Sequence, residues 1–427
     1  MGGLLPKPVT TKEIQDGKSQ TGHYAFGVSS MQGWRPAMED AHMAIPDFDP
    51  ERELGLFGVF DGHGGAAVAK VAAERFPETL RALPAFKQGR YSEALYESFL
   101  KLDSFLDSPA GREKVKEATP APVDSEMEEE ELLRLLESGE LDPDDLDLEE
   151  DEEVEEEAAE DDEAEEASGS SSDWANAEGP DGMGCTAVVA LVCGGSKPEV
   201  FCANAGDSRC VLARGGRAQN LSRDHKPELK SERRRIMQAG GFVSADGRVD
   251  GNLNLSRSLG DFTYKKDASR KATEQKISAE AEVKRRALGP ADQYLAIGCD
   301  GIFEKFSSQE LINFLLPHLR RRRRSQAPLS NACSAFLDAN IAKSPQKEQG
   351  LGCDNMTLLV VELQPSQRSQ MRQLWTFPHG SAVHRAGGKV AMTPSSRRRV
   401  VMQLQNVKRS SRAKVKSAGR SKIRSSG

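Results

Sequence analysis

The chain has 427 residues, 37% of them hydrophobic, with 58 Lys+Arg against 66 Asp+Glu and a formal net charge of −8. That charge averages two opposite extremes: Glu126–Glu166 holds 25 acids and one Arg, while residues 365–427 hold 15 Lys/Arg and no acid, leaving +1 for everything else. The near-neutral remainder is long enough for one large core, and no apolar run reaches the roughly 18 residues of a membrane-spanning helix.

Residues 1–23 form an N-terminal segment opening on MGGLLPKPVT. It has no apolar stretch long enough for a secretory signal, and Pro6 stands where the myristoylation pattern after Gly2 requires Ser or Thr. From Tyr24 to Asp107 strand and helix signals alternate. GWRPAMEDAH carries the acidic pair Glu39-Asp40, and LGLFGVF, which ends in Asp61-Gly62-His63, reads as a buried strand. AAVAKVAAERF and YSEALYESFLKLDSFL both have helical apolar spacing. From about Ser108 to Gly182 the apolar character is lost. This stretch contains the acidic run and an SGSSS segment, and such like-charged sequence is expected to stay mostly disordered because it buries too little apolar surface.

Strand signals resume at CTAVVALVCGG, whose Gly-Gly turns the chain into VFCANAGDSRCVLARGGR, read as a hairpin. Arg234–Ala239 reads as a helix before Gly240-Gly241. YLAIGC ends in Asp300-Gly301, and SQELINFLLPHL reads as a helix with Arg320–Arg324 at its C-terminal end, where cations suit the macrodipole. Asp354-Asn355-Met356 leads into the apolar run TLLVVEL. The basic tail, residues 365–427, is expected to be disordered. Its clusters, as in RSSRAKVKSAGRSKIRSS, read as a nuclear-localisation or nucleic-acid-binding arm. The seven cysteines contain no C-x-x-C pair and mostly have apolar flanks, which suits buried thiols in a reducing compartment.

The chemistry lies in the strand-end acids. Glu39, Asp40 and Asp61 precede the acidic run, and Asp300 and Asp354 follow it. Convergent carboxylates stay close only if they are protonated or hold cations. With oxygen donors and no His/Cys cluster, the expected ions are Mg²⁺ or Mn²⁺. A shared site also requires both flanks to fold together, so residues 24–364 are expected to form one domain, with about 108–182 looping out as an insertion. A metal-dependent hydrolase is the class these features indicate.

MQGWRPAMEDAH, VFDGHGG, CTAVVAL, NAGDSR, DHKP, NLSRSLGDF, CDGIF and CDNMT, in that order, resemble the motifs of the type 2C metal-dependent serine/threonine protein phosphatase family. The resemblance spans about Tyr24 to Leu363 apart from the acidic run. The MGG start, the ANAGDSRC and GNLNLSRSLGD wording and the acidic insertion look most like the gamma type. The resemblance implies an α+β, four-layer α/β/β/α sandwich of two antiparallel sheets flanked by helices. It also implies two divalent ions bridged by water, and phosphoserine and phosphothreonine in proteins as substrates.

By the same resemblance, Asp61 looks like the carboxylate bridging both ions, and Gly62 would contribute its carbonyl. Glu39 is similar to the ligand of one ion, with Asp40 beside it, and Asp300 and Asp354 resemble the remaining ligands. Arg35 looks like the phosphate clamp, which suits its bidentate donor fork. His63 resembles the general acid that protonates the departing oxygen. Thr186 and Asp207 match positions near the metals. Some members hold a third ion between the Asp207 position and an Asp four residues after the CDG aspartate. Here that position is Glu304, which leaves a third ion open. His42 and His225 read as structural, and residues 220–275 correspond to the family's flap near the active site.

A second reading, a catalytically idle scaffold for histone- or RNA-associated basic proteins on the same fold, draws on the acidic run. Basic nuclear proteins as substrates, nucleic acid at the basic tail, and a nuclear rather than cytoplasmic location are expectations from the two charged segments.

Overall fold

The computed structural model describes residues 3–119 and 179–363. Gly2, the acidic run and the basic tail lie outside the described residues.

Two antiparallel sheets carry the structure. The six-stranded sheet has the order β1 (Val9–Lys18), β2 (Tyr24–Gly33), β14 (Met356–Leu363), β13 (Asp292–Gly298), β9 (Arg209–Arg214) and β10 (Arg217–Asn220). The five-stranded sheet runs β12 (Glu282–Ala287), β8 (Glu199–Ala205), β7 (Ala187–Cys193), β4 (Leu54–Phe60) and β3 (Ala41–Asp49). A third, small sheet joins β11 (Leu259–Gly260), β6 (Gly184–Cys185) and β5 (Gly62–His63).

Strand side chains divide by parity. In β7, Val188, Ala190 and Val192 join the core made with β2, β9, β13 and β14. Ala187, Val189 and Leu191 join the core made with α1 (Ala67–Ala82), α2 (Pro84–Lys87), α3 (Tyr91–Asp107) and α4 (Pro109–Ala118). After α5 (Lys230–Gln238) and α6 (Asp300–Phe303), α7 (Ser308–Ser325) and α8 (Ser330–Asn340) cover the six-stranded sheet. The result is the expected helix/sheet/sheet/helix sandwich. Sheets covered on both faces read as continuous apolar runs rather than alternating ones, which is why LGLFGVF and TLLVVEL stood out. At the start of α7, Ser307 and Glu310 cap each other's backbone N–H groups in a capping box. The Arg run closes α7 as expected, and Arg322 donates to Glu362. No described helix is long and apolar enough to cross a membrane.

Segments on either side of residues 120–178 build the same sheets: β4 pairs with β7, from Leu54↔Cys193 to Val59↔Val188, and β2 pairs with β14. Three expectations change. Residues 9–18 are not outside the domain but form edge strand β1, which pairs with β2. Most of its side chains are exposed, so no apolar run announced it. The segment from Ser108 begins with a helix, α4, started by the Ser108 side-chain cap and Pro109 and buried through Val115. VFCANAGDSRCVLARGGR is not one hairpin. β8 pairs with β7 and β12, whereas β9 pairs with β13 and β10, so the chain crosses between sheets at Gly206, whose φ is +119°. A turn signal between two apolar runs is the same for either outcome.

Phe57 on β4 is fully buried, with its ring centroid 6.3 Å from that of Tyr24 and 6.1 Å from that of Phe26 on the facing sheet. Phe57→Ala is expected to lower stability by about 3–5 kcal/mol, read as a fall in urea midpoint. A loss under about 1 kcal/mol would contradict packing of the two sheets through this ring.

Candidate active site

The strand ends bring the acids together. Asp61 follows β4, and its carbonyl accepts the Thr186 N–H at 2.9 Å. Gly62 is required by close approach, since a Cβ there would lie 2.4 Å from the Glu39 carbonyl oxygen. Asp300 opens α6 directly after β13 and Cys299, and its N–H points to Asp61 Oδ2 at 3.4 Å. Asp354 stands just before β14. Its neighbour Asn355 accepts the Glu39 N–H at 2.8 Å and donates to the carbonyls of Gln32 and Ala37 at 2.8 and 2.9 Å. Asn355 thereby fixes the GWRPAME loop against the segment that leads from Asp354 into β14.

Three sets of ligand atoms each lie within 4.8 Å of one another: Asp40–Asp61–Cys299, Asp61–Asp207–Asp300 and Asp300–Glu304–Asp354. Asp61 and Asp300 are each shared by two sets. Arg35 lies at the rim, with Nη2 3.9 Å from Glu39 Oε2 and Nε 3.6 Å from Asp354 Oδ1. Burial, followed by the charge of Asp300, drives the Asp61 carboxyl well above its ordinary range. Burial and then Asp207 do the same to Asp300. Burial also raises Glu39 and Glu304, and carries Asp40 up to about 6. Both carboxylate oxygens of Asp40 are buried, close to Thr357 and the Cys299 thiol.

These features fit a hard divalent cation. The donors are carboxylate oxygens, and the Cys299 thiol is held well above its ordinary pKa, first by burial and then by Asp40, so it stays protonated. Asp207 and Glu304 fall in different sets. Asp207 instead pairs with Lys226 at 2.5 Å, and Glu304 accepts the Gly352 N–H at 3.2 Å.

His63 lies on β5, and its Nε2 is 2.9 Å from each carboxylate oxygen of Asp261. Burial disfavours its charge, but the charge and hydrogen bond of Asp261 outweigh this, so its pKa is raised. Asp261 sits in left-handed backbone, φ +54°, and also accepts from Ser258 Oγ. The Gly260 N–H donates to the buried carboxylate of Asp103 at 3.0 Å, anchoring this loop. Asp261 and Asn355 were present in NLSRSLGDF and CDNMT, but the sequence alone gave neither a role. His42 bonds Gln15 at 3.0 Å, and His225 is fully buried with Nδ1 3.2 Å from the Gly206 N–H. Both stand apart from the acidic sets. The seven cysteines are free, and all but Cys193 are buried.

The Protein phosphatase 2C family profile matches residues 24–123 and 125–347. The chain is 36% identical over 377 residues to probable protein phosphatase 2C 21 of Arabidopsis thaliana, covering 87% of this chain and 95% of that one. It is 36% identical over 363 residues to protein phosphatase 2C 1 of Paramecium tetraurelia, covering 85% and 99%. Among solved structures, the fold is similar to a phosphatase from Toxoplasma gondii, with TM-score 0.56, 20% identity and coverage of 83% and 96%.

For these acids the folded-state pKa exceeds the unfolded one, so between the two values the unfolded chain binds fewer protons. Without metal, stability therefore falls as pH rises through that window. A bound dication removes this loss. The rise in Tm produced by Mn²⁺ is thus expected to grow between about pH 5 and about pH 7, measured by scanning fluorimetry. A rise that is constant or shrinks with pH would contradict the raised values.

Proposed function

Because the chain belongs to the protein phosphatase 2C family and is a protein serine/threonine phosphatase, we propose that it hydrolyses phosphoserine and phosphothreonine in proteins with two divalent ions, Mg²⁺ or Mn²⁺. The observation that carries this reading is the convergence of Asp61 with Asp300, and of Asp300 with Asp354, beside the buried carboxylate of Asp40. Asp61, shared by two sets, is the candidate bridging ligand. Glu39, Asp40 and the Gly62 carbonyl would hold one ion, and Asp300 and Asp354 the other. When bound there, such ions would supply an activated water and offset charge on the attacking and leaving oxygens.

The protein's own groups complete the reaction. Arg35 offers its guanidinium to the phosphate at the rim. The Asp261 carboxylate accepts a hydrogen bond from His63 Nε2–H and favours the imidazolium, whose Nδ1–H then supplies the proton to the departing serine or threonine oxygen. Asp261 is a positioning residue, setting both the tautomer and the ring orientation.

A catalytically idle scaffold has no use for Glu39, Asp61, Asp300 and Asp354 together, and their joint presence favours the enzyme. The gamma type draws support from the MGG start, the motif wording and the acidic run. Basic nuclear proteins as substrates, nucleic acid at the tail and a nuclear location remain proposals resting on residues 126–166 and 365–427.

Phosphate release from a phosphothreonine peptide with Mn²⁺ is expected to vanish with EDTA and to fall to near background in Asp61→Asn. Activity surviving both would refute the two-ion reading. His63→Asn should lower kcat on that peptide by about 10²–10⁴-fold, with a much smaller loss on an aryl phosphate whose leaving group needs no proton. Equal losses on both substrates would remove His63 from the role of general acid.

A further inference from the structure

One residue beyond Asp261, a cavity of about 550 Å³ opens between α3, α4 and residues 262–275. Its size lies within the range of small ligand sites, roughly 300–1,000 Å³. Chain neighbours of its lining also pack on the His63 turn. Phe262 directly follows Asp261, and Thr263 Oγ1 donates to the Asp181 carbonyl at 3.0 Å, joining two sides of the cavity. Just past Asp181, Gly182 and Met183 pack on the glycines after His63: a Cβ on Gly64 would meet the Gly182 carbonyl at 2.4 Å, and one on Gly65 the Met183 sulfur at 2.9 Å.

The charges in the lining are unevenly spent. Its four carboxylates all have partners. Lys265 is 2.8 Å from Asp103, Arg112 binds Asp107 and Asp181 at 2.7 and 2.8 Å, and Arg270 Nε binds Asp267 at 2.9 Å. Two sets of donors are not used. Lys266 is exposed and makes no hydrogen bond or ion pair among the described residues, and the terminal nitrogens of Arg270 are also open. Leu100, Phe262, Ala268 and Ala272 supply apolar surface beside them. Partnered acids, the unpartnered Lys266 with the open donors of Arg270, and an apolar wall select an anion on a short aliphatic stem.

We propose that this cavity is a subsite for an acidic side chain of the phosphoprotein substrate, a few residues from the phosphorylated one, with its carboxylate at Lys266 and Arg270. This rests on the phosphatase reading. It assigns substrate preference to residues that touch neither metal nor phosphate.

The test uses the full chain and phosphothreonine peptides identical except for Glu, Gln or Lys scanned along both sides of the phosphorylated residue. At one or two positions Glu should be preferred over Lys by about three- to fivefold in kcat/KM, the size a half-exposed ion pair supports, with the difference in KM. The ratio within each protein is the readout. Lys266→Met should abolish the preference, and Lys266→Glu should reverse it toward the Lys peptide. No position favouring Glu, or a preference unchanged in Lys266→Glu, would overturn the subsite. Failure of the wild-type chain to release phosphate from any peptide or from an aryl phosphate would instead count against the phosphatase reading. The same ratios, read as peptide binding by fluorescence anisotropy, would then decide the subsite.

Discussion

Carboxylates crowded at the ends of buried strands set the terms for the rest of this structure. Two unit charges 4.8 Å apart, the widest spacing within a set, repel by about 3–4 kcal/mol at an effective dielectric constant near 20, and Asp61 and Asp300, each shared by two sets, meet that cost more than once. Hydrophobic packing alone gives no reason to aim Asp61, Asp300 and Asp354 at one another. The two-layered β core resists the repulsion because the strands carrying these acids are buried on both faces and cannot splay apart. Cations turn this strain into binding energy.

The same constraint explains the organisation of the chain. Asp61 comes before residues 120–178 and Asp300 and Asp354 after them, so one site requires one domain. The pairings β4–β7 and β2–β14 close that domain around the interruption. Next to the acids, a small three-stranded sheet sets His63, and the left-handed Asp261 holds its ring from the opposite segment.

Sequence legibility followed burial. β4, β13 and β14 were visible because their two covered faces leave unbroken apolar runs, and each adjoins an acid that the structure brings to the shared site. β1 was invisible because its side chains face solvent and its partner strand, not its own pattern, makes it a strand. The crossing between sheets at Gly206 was misread because a glycine turn between apolar runs does not say which sheet receives the second run. Asp261 was on the page within NLSRSLGDF, but its contact with His63 spans 198 residues and no local spacing encodes it. Asn355 was hidden likewise, since its work is done on the Gln32–Glu39 loop. Glu304 stood out in the sequence as a departure. Its carboxylate joins Asp300 and Asp354 while Asp207 turns to Lys226.

The central claim, that the strand-end acids exist to hold cations, is tested most directly by titrating Mn²⁺ into the metal-free full chain in a calorimeter. Two ions bound per chain, with heat and stoichiometry collapsing in Asp61→Asn while the variant keeps its far-ultraviolet circular dichroism, is the predicted result. Wild-type chain that binds no Mn²⁺, or an Asp61→Asn variant that binds it unchanged, would contradict it.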